Sequence, residues 1–67
     1  MDAKKIGKRI KLARVEHDMT QGKLANTIGA MQKTISRFET GLAIPSIEML
    51  EKIAKALNKT FAYFLDE

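Results

Sequence analysis

Three polar side chains that donate or accept hydrogen bonds lie close together near the middle of the chain, at Gln32, Lys33 and Arg37. A glutamine amide both donates and accepts, whereas lysine and arginine only donate. Because Lys33 and Arg37 are four residues apart, a helix would place them on one face. On that face glutamine can pair with adenine, lysine with guanine or phosphate, and arginine with guanine. These residue types and their spacing are suited to reading DNA in the major groove.

Two short predicted helices must position these side chains. Apolar residues on both sides of Gly29 recur at the three- and four-residue spacing of helices that bury one side; they are Leu24, Ala25, Ile28, Ile35 and Phe38. Gly29 interrupts the pattern where the backbone needs a positive φ. Thr20 is a good N-cap for the helix before Gly29, and Gly41 ends the helix after it. The segment therefore predicts a helix-turn-helix over about residues 20–40.

Length and composition restrict the class of protein. With 67 residues the chain can form one domain, over residues 1–67, with one core. It has no cysteine and only one histidine, His17, which excludes a disulfide framework, a thiolate metal site and a multi-histidine metal site. No apolar run approaches the roughly 20 residues of a membrane span. We expect a cytoplasmic protein without metal, cofactor or membrane partner, and not an enzyme, because paired carboxylates and phosphate-binding loops are missing too.

The charge is unevenly distributed along the chain. Residues 1–37 hold nine Lys/Arg against three acidic residues, a net charge of +6, whereas residues 38–67 hold three against five, a net charge of −2. A polyanionic partner for the basic half is one interpretation, and an unevenly charged solvated surface is the other.

The rest of the chain predicts three more helices. The first covers residues 2–17 with Asp2 as N-cap, the next follows Ser46 and ends near Asn58, and a short one runs from Thr60 to Leu65. We expect the apolar stripe of the helix after Ser46 to be buried; it consists of Ile47, Leu50, Ile53, Ala54 and Leu57. Met19 is expected to fill the core, whereas Leu12 and Val15 fall away from it, as ordinary exposed residues or as a partner surface. The fold class is all-α, a compact five-helix bundle.

A family resemblance appears once these motifs are combined. The run TQGKLANTIGAMQKTISRFETG followed by IPSIEMLEKIAKALN resembles the Cro/repressor-type (XRE-like) helix-turn-helix family, over residues 6–65. The matching positions are Thr20, Gln21, Leu24, Ala25, Gly29, Ile35, Ser36, Glu39, Gly41, Pro45, Leu50, Ile53, Ala54 and Leu57. The resemblance implies a lambda-repressor-like DNA-binding domain. It also implies a transcriptional regulator, in most cases a repressor, that binds double-stranded DNA at a palindromic operator as a homodimer.

The resemblance also implies roles for individual residues. The expected DNA-contacting set is Gln21, Met31, Gln32, Lys33, Thr34, Ser36, Arg37 and Thr40. Within it, Gln21 would contact phosphate and brace the third helix, which would read the bases. Ser36 would touch backbone or phosphate. Met31 and Thr34 could touch thymine methyl groups, although Met31 could equally fill the core. Arg14 and Glu39 are expected to form a structural salt bridge between the first and third helices.

Three features depart from the family pattern. Met31 cannot cap the third helix with an oxygen, the loop Leu42-Ala43-Ile44 is apolar where relatives are often basic, and Asn58 replaces a common glycine. The apolar loop suggests a dimer surface instead, for which the candidates are Leu42, Ile44, Met49, Ala56 and Tyr63. Two other functions remain open at this point: an antitoxin that binds a toxin and its own promoter, and a protein-interaction module that does not bind DNA.

Overall fold

The computed structural model describes residues 2–65, and five α-helices with no β-strand account for the regular structure of that range. The helices are α1 (Ala3–Glu16), α2 (Gln21–Ile28), α3 (Gln32–Glu39), α4 (Ile47–Ala56) and α5 (Phe61–Leu65). The predicted all-α five-helix fold is confirmed. No helix among these five is long and apolar enough to cross a membrane.

All five helices contribute to one apolar core. Its buried residues are Ile6, Ile10, Ala13, Leu24, Ala25, Ile28, Ile35, Phe38, Leu50, Ile53, Ala54, Leu57 and Phe64. Met19 packs against this core, as predicted, whereas Leu12 and Val15 are exposed on α1. Every apolar stripe derived from helical spacing is therefore buried, with one exception on α4.

The exception is Ile47, which was expected in the buried stripe of α4 and is 61% exposed. Ile47 is the first residue of α4. Side chains on a helix lean towards its N-terminus, so this one extends past the start of α4 and away from the core. The prediction for Ile47 was wrong because correct helical spacing does not guarantee that the core extends as far as the helix does.

Side-chain caps set the helix starts where the sequence placed them. The Asp2 carboxylate accepts from the N–H groups of Lys4 and Lys5, Thr20 Oγ1 accepts from Lys23 N, and Ser46 Oγ accepts from Met49 N. Each cap satisfies backbone donors that have no partner within the helix. Met31 precedes α3 without a side-chain cap, as its chemistry requires.

The turn between α2 and α3 contains three residues, of which Gly29 is the first. Gly29 adopts a left-handed conformation with φ +74°, confirming the positive φ expected there. The N–H of the following residue, Ala30, donates to the carbonyl of Ala25 at 2.8 Å, which closes the end of α2. This turn directs the chain into α3 and so determines which side of α3 faces outward.

Gly7 allows α1 and α3 to approach closely. A Cβ atom added at Gly7 would overlap the carbonyl oxygen of Phe38 and lie 2.9 Å from that of Glu39. No side chain larger than hydrogen fits between these helices at this point without moving the backbone. The contact places the last turn of α3 directly against α1.

Candidate nucleic-acid interface

The outward side of α3 carries the polar side chains that the sequence singled out. Gln32, Lys33 and Arg37 are exposed, whereas Ile35 and Phe38 on the opposite side are buried in the core. The buried pair anchors α3, and the exposed residues form a surface of one amide and two cations. Thr34 and Ser36, at the edges of this surface, are half-buried.

A buried hydrogen-bond network holds both ends of the helix-turn-helix. Glu39 accepts from Arg14 Nε at 2.6 Å, from Arg14 Nη2 at 3.1 Å and from Gln21 Nε2 at 3.0 Å. Arg14 Nη1 also donates to the carbonyl of Met19 at 2.6 Å. The side chains of Arg14 and Glu39 are only 11% and 3% exposed. The network therefore connects α1, the loop before α2, the start of α2 and the end of α3.

Gln21 is half-buried, and its amide is only partly used by this network. One N–H of Nε2 goes to Glu39, and an amide has a second N–H and a carbonyl oxygen to offer. A residue at this position can therefore brace α3 and contact a phosphate at the same time.

Thr40, the last member of the expected DNA-contacting set, lies just after α3 and is exposed. Its hydroxyl donates to the carbonyl of Ser36 at 3.0 Å and is 3.3 Å from that of Arg37. Since the hydroxyl proton is directed at the backbone, this side chain offers only its lone pairs outward.

Met31 lies at the entrance to α3 and is 65% exposed, away from the core. The alternative that Met31 fills the core is therefore wrong. Its exposed thioether lies next to Gln32, at the end of α3 where the polar surface begins.

The five candidate dimer residues lie in different environments. Leu42 and Ile44 are 69% and 46% exposed in the loop between α3 and α4, close in the chain to exposed Ile47. Met49 and Ala56 are half-buried and pack against the core. Tyr63 is also half-buried and packs against the core, where α5 meets α1.

Three interactions surround Tyr63. Its ring contacts Arg9, whose Cζ is 5.0 Å from the centroid, and Lys59, whose Nζ is 4.7 Å away. Arg9 Nη1 also donates to the Tyr63 carbonyl at 3.1 Å. Lys59 also forms an ion pair with Glu16 of α1. Tyr63 therefore links α5 to α1 directly through Arg9 and indirectly through Lys59.

For three residues the sequence predicted no part in the polar surface of α3 or in the exposed apolar loop, and Ile47 among them was expected in the core. Ile47 extends the exposed apolar loop, Gly7 sets the distance between α1 and α3, and Gly22 lies beside Gln32. A glycine on the apolar side of a predicted helix, as at Gly7, is a signal for close packing that could have been used. Within residues 2–65, no three His, Cys, Asp or Glu side chains are grouped so as to hold a metal ion.

Comparison with known families gives a match over most of the chain. The family model HTH_3, described as helix-turn-helix, matches residues 10–64. This range begins within α1 and ends within α5, so it includes the α2–turn–α3 unit and the helices that support it.

Two curated relatives show how far the similarity extends. Antitoxin PezA of Streptococcus pneumoniae is 34% identical over 62 residues, which are 92% of this chain and 39% of that protein. The cryptic phage CTXphi transcriptional repressor RstR of Vibrio cholerae is 40% identical over 47 residues, which are 70% of this chain and 42% of that protein. The chain thus spans about two fifths of the length of either relative.

A solved structure resembles the whole fold. The biofilm master regulator SinR, crystallised in complex with DNA, has a TM-score of 0.86 and 35% identity. The match covers 91% of this chain and 98% of that one.

Proposed function

This chain belongs to the HTH_3 helix-turn-helix family, and from that premise we propose that it is a sequence-specific DNA-binding transcriptional repressor. In this proposal residues 1–67 act as one DNA-binding unit in the cytoplasm. The unit inserts α3 into the major groove of a palindromic operator and acts as a homodimer. Its role is binding, without a catalytic step or a cofactor.

The observation that carries the proposal is the surface of α3. Gln32, Lys33 and Arg37 are exposed together on a helix whose other side is anchored in the core. A helix that presents an amide and two cations at its surface matches the donors and acceptors at base edges in the major groove. The similarity to SinR, a regulator crystallised with DNA, supports the same use of this fold.

Each side chain of this surface has a proposed contact. Arg37 donates to guanine O6 and N7, Lys33 to guanine or phosphate, and Gln32 pairs with adenine. Met31 and Thr34 touch thymine methyl groups. Phosphates are contacted by Gln21 and Ser36, and by Thr40 once its hydroxyl proton turns from the Ser36 carbonyl to the phosphate. These contacts set the register of α3 without reading sequence.

The exposed apolar loop supports the dimer. Leu42, Ile44 and Ile47 lie within six residues of one another and are all exposed, which is unusual for so short a segment of a small domain. We propose that a second copy covers this surface and extends along α4 over half-buried Met49 to Ala56 at the far end of the helix. A two-fold dimer would then present two copies of α3 to the two halves of the operator.

Selection from random double-stranded DNA tests the main proposal. The protein should enrich an inverted repeat whose half-sites are about one helical turn, or a multiple of it, apart. Enrichment of no sequence, or binding to all sequences with equal affinity, would contradict sequence-specific recognition.

Arg37→Ala tests which residue reads which base. Loss of a bidentate contact should cost roughly 1–3 kcal/mol on the selected operator and relax the preference at one base pair per half-site. The measurement is the binding affinity for the operator and for its single-base variants.

Lys52→Ala is the matched control, because it removes one exposed cation from α4 rather than α3. It should leave the base preference unchanged. An equal loss of affinity on every sequence for Arg37→Ala would mean that Arg37 contacts only phosphate.

The second candidate function is that of an antitoxin in a toxin–antitoxin pair, favoured by the 34% identity to PezA over 92% of this chain. Such a protein also represses its own promoter, so the same α3 surface would be used. The partner would be a toxin protein, and a toxin gene beside the gene for this chain is the observation that would favour this candidate. Absence of any such neighbour leaves the repressor as the better proposal.

A further inference from the structure

Gly22 occupies an unfavourable position for a glycine. It is the second residue of α2, is not in a positive-φ conformation and is half-buried on a side of the helix away from the core. Glycine inside a helix costs about 0.5–1 kcal/mol relative to alanine. The backbone conformation therefore does not require glycine here, and the reason for it must lie in what surrounds it.

The side chain of Gln32 occupies the space that a larger residue would need. A Cβ atom on Gly22 would lie 3.3 Å from Gln32 Oε1 and 3.9 Å from Gln32 Cδ, with Thr20 Oγ1 at 3.9 Å. The first of these distances is tighter than an ordinary van der Waals contact, so the amide of Gln32 would have to move by a few tenths of an ångström. Gly22 thus leaves room for the amide over the first turn of α2.

The orientation of this amide follows from the charge of α2. The carboxamide oxygen is the atom of Gln32 nearest to Gly22. The N-terminal end of a helix carries a partial positive charge, which favours an acceptor there over a donor. Because Oε1 is the amide atom nearest to Gly22, the NH₂ group of Gln32 lies farther from Gly22 than the oxygen does.

We infer that Gly22 is a positioning residue for base recognition: it sets the orientation of the Gln32 amide and, with it, the base preferred at one position of each half-site. The inference rests on the proposed DNA-binding function, because Gln32 must contact a base for its orientation to matter. Hydrogen bonds between protein and base lose strength beyond about 3.2 Å, so a shift of a few tenths of an ångström weakens the contact and reduces the preference for that base.

Gly22→Ala tests the inference through base preference. On the selected operator and its single-base variants, Gly22→Ala should change the preference at one base pair per half-site by roughly fivefold. This is the lower end of the discrimination that one good bidentate base contact provides. The Gly22→Ala variant should bind unrelated DNA with the same affinity as the protein without the substitution, since no charge is altered. Unchanged preference at every position would overturn the inference.

Two further variants separate positioning from other effects. Asn26→Ala also improves the helix propensity of α2, at an exposed position one turn away from Gly22, and should not alter preference. In a Gln32→Ala background, Gly22→Ala should have no further effect on preference, because the side chain through which it acts is gone. An effect of the same size in that background would overturn the inference.

An experiment on the free protein distinguishes failure of the inference from failure of the proposed function. In a two-dimensional ¹H–¹⁵N NMR spectrum, Gly22→Ala should shift the side-chain amide resonances of Gln32 more than those of Gln21. If selection enriches no DNA sequence but these resonances shift, the positioning of Gln32 stands and the proposed function fails. If the resonances of Gln32 do not move, the inference fails whatever the protein binds.

Discussion

Glu39 is the residue with the most hydrogen bonds from other side chains near the candidate interface. Its carboxylate accepts two bonds from Arg14 and one from Gln21, and its side chain is 3% exposed. A buried ion pair contributes little net stability, because both charges lose their hydration, yet removing one partner leaves the other charge buried and unpaired. Glu39 therefore holds α1, α2 and α3 in their relative positions.

Glu39→Ala should lower the free energy of unfolding by about 3 kcal/mol, since the Arg14 guanidinium would lose its buried counter-charge. The measurement is urea denaturation followed by circular dichroism. A small domain has a total stability of only a few kcal/mol, so Glu39→Gln provides a second variant that keeps the shape and one acceptor oxygen. Glu39→Gln should destabilise less and leave base preference intact, and an unchanged midpoint for Glu39→Ala would contradict the structural role of the pair.

At the scale of elements, the position of α3 depends on how closely α1 packs against it. The carbonyl groups of Phe38 and Glu39 lie against the Cα of Gly7, and the core residues Ile35 and Phe38 face inward beside this contact. Protein interiors are densely packed and cannot absorb an additional methyl group between two backbones without displacement. The position of α3 is therefore restricted by Gly7, a residue of α1 that is not part of the polar surface of α3.

Gly7→Ala should destabilise the fold by about 2 kcal/mol, because overpacking outweighs the gain in helix propensity. Thermal and urea denaturation measure the loss. Gly22→Ala is the matched control: it replaces a helical glycine whose only tight neighbour is the end of a flexible side chain, so the midpoint should not fall. Equal stability changes for the two variants would show that the contact between α1 and α3 does not restrict the side chain at position 7.

At the scale of the whole molecule, three of the six large apolar side chains exposed within residues 2–65 lie in one short segment. They are Leu42, Ile44 and Ile47, around the start of α4, whereas Met31 lies before α3 and Leu12 and Val15 lie on α1. Leu42 and Ile44 belong to the loop that is often basic in the family that the sequence resembles, so this loop is less suited to holding phosphates. We attribute it to the dimer for that reason.

Ile47→Glu should weaken the proposed dimer at least tenfold, since a buried unpaired carboxylate at the interface costs more than the 1.4 kcal/mol that corresponds to that factor. Sedimentation equilibrium measures the change. Folding stability should be unaffected, because Ile47 lies outside the core. Leu12→Glu, at a similarly exposed apolar position on α1, is the control, and equal dissociation constants for the two variants would place the dimer contact elsewhere.

Local features of this protein follow from the sequence because they depend on residues within one or two turns. The caps at Asp2, Thr20 and Ser46, the left-handed turn at Gly29 and the αL residue Asn58 are all of this kind. So are the apolar stripes, which follow from the period of the helix. Arg14 and Glu39 are 25 residues apart, and only the family resemblance paired them in advance.

Tertiary structure alone decided the remaining points. It exposed Ile47 although helical spacing predicted burial, it removed Met31 from the core although both environments were open, and it brought Gly7 against α3 and Gly22 against Gln32. The physical reason is the same in each case. The period of a helix determines which side of it is apolar, but burial depends on whether another helix, distant in the chain, lies over that side.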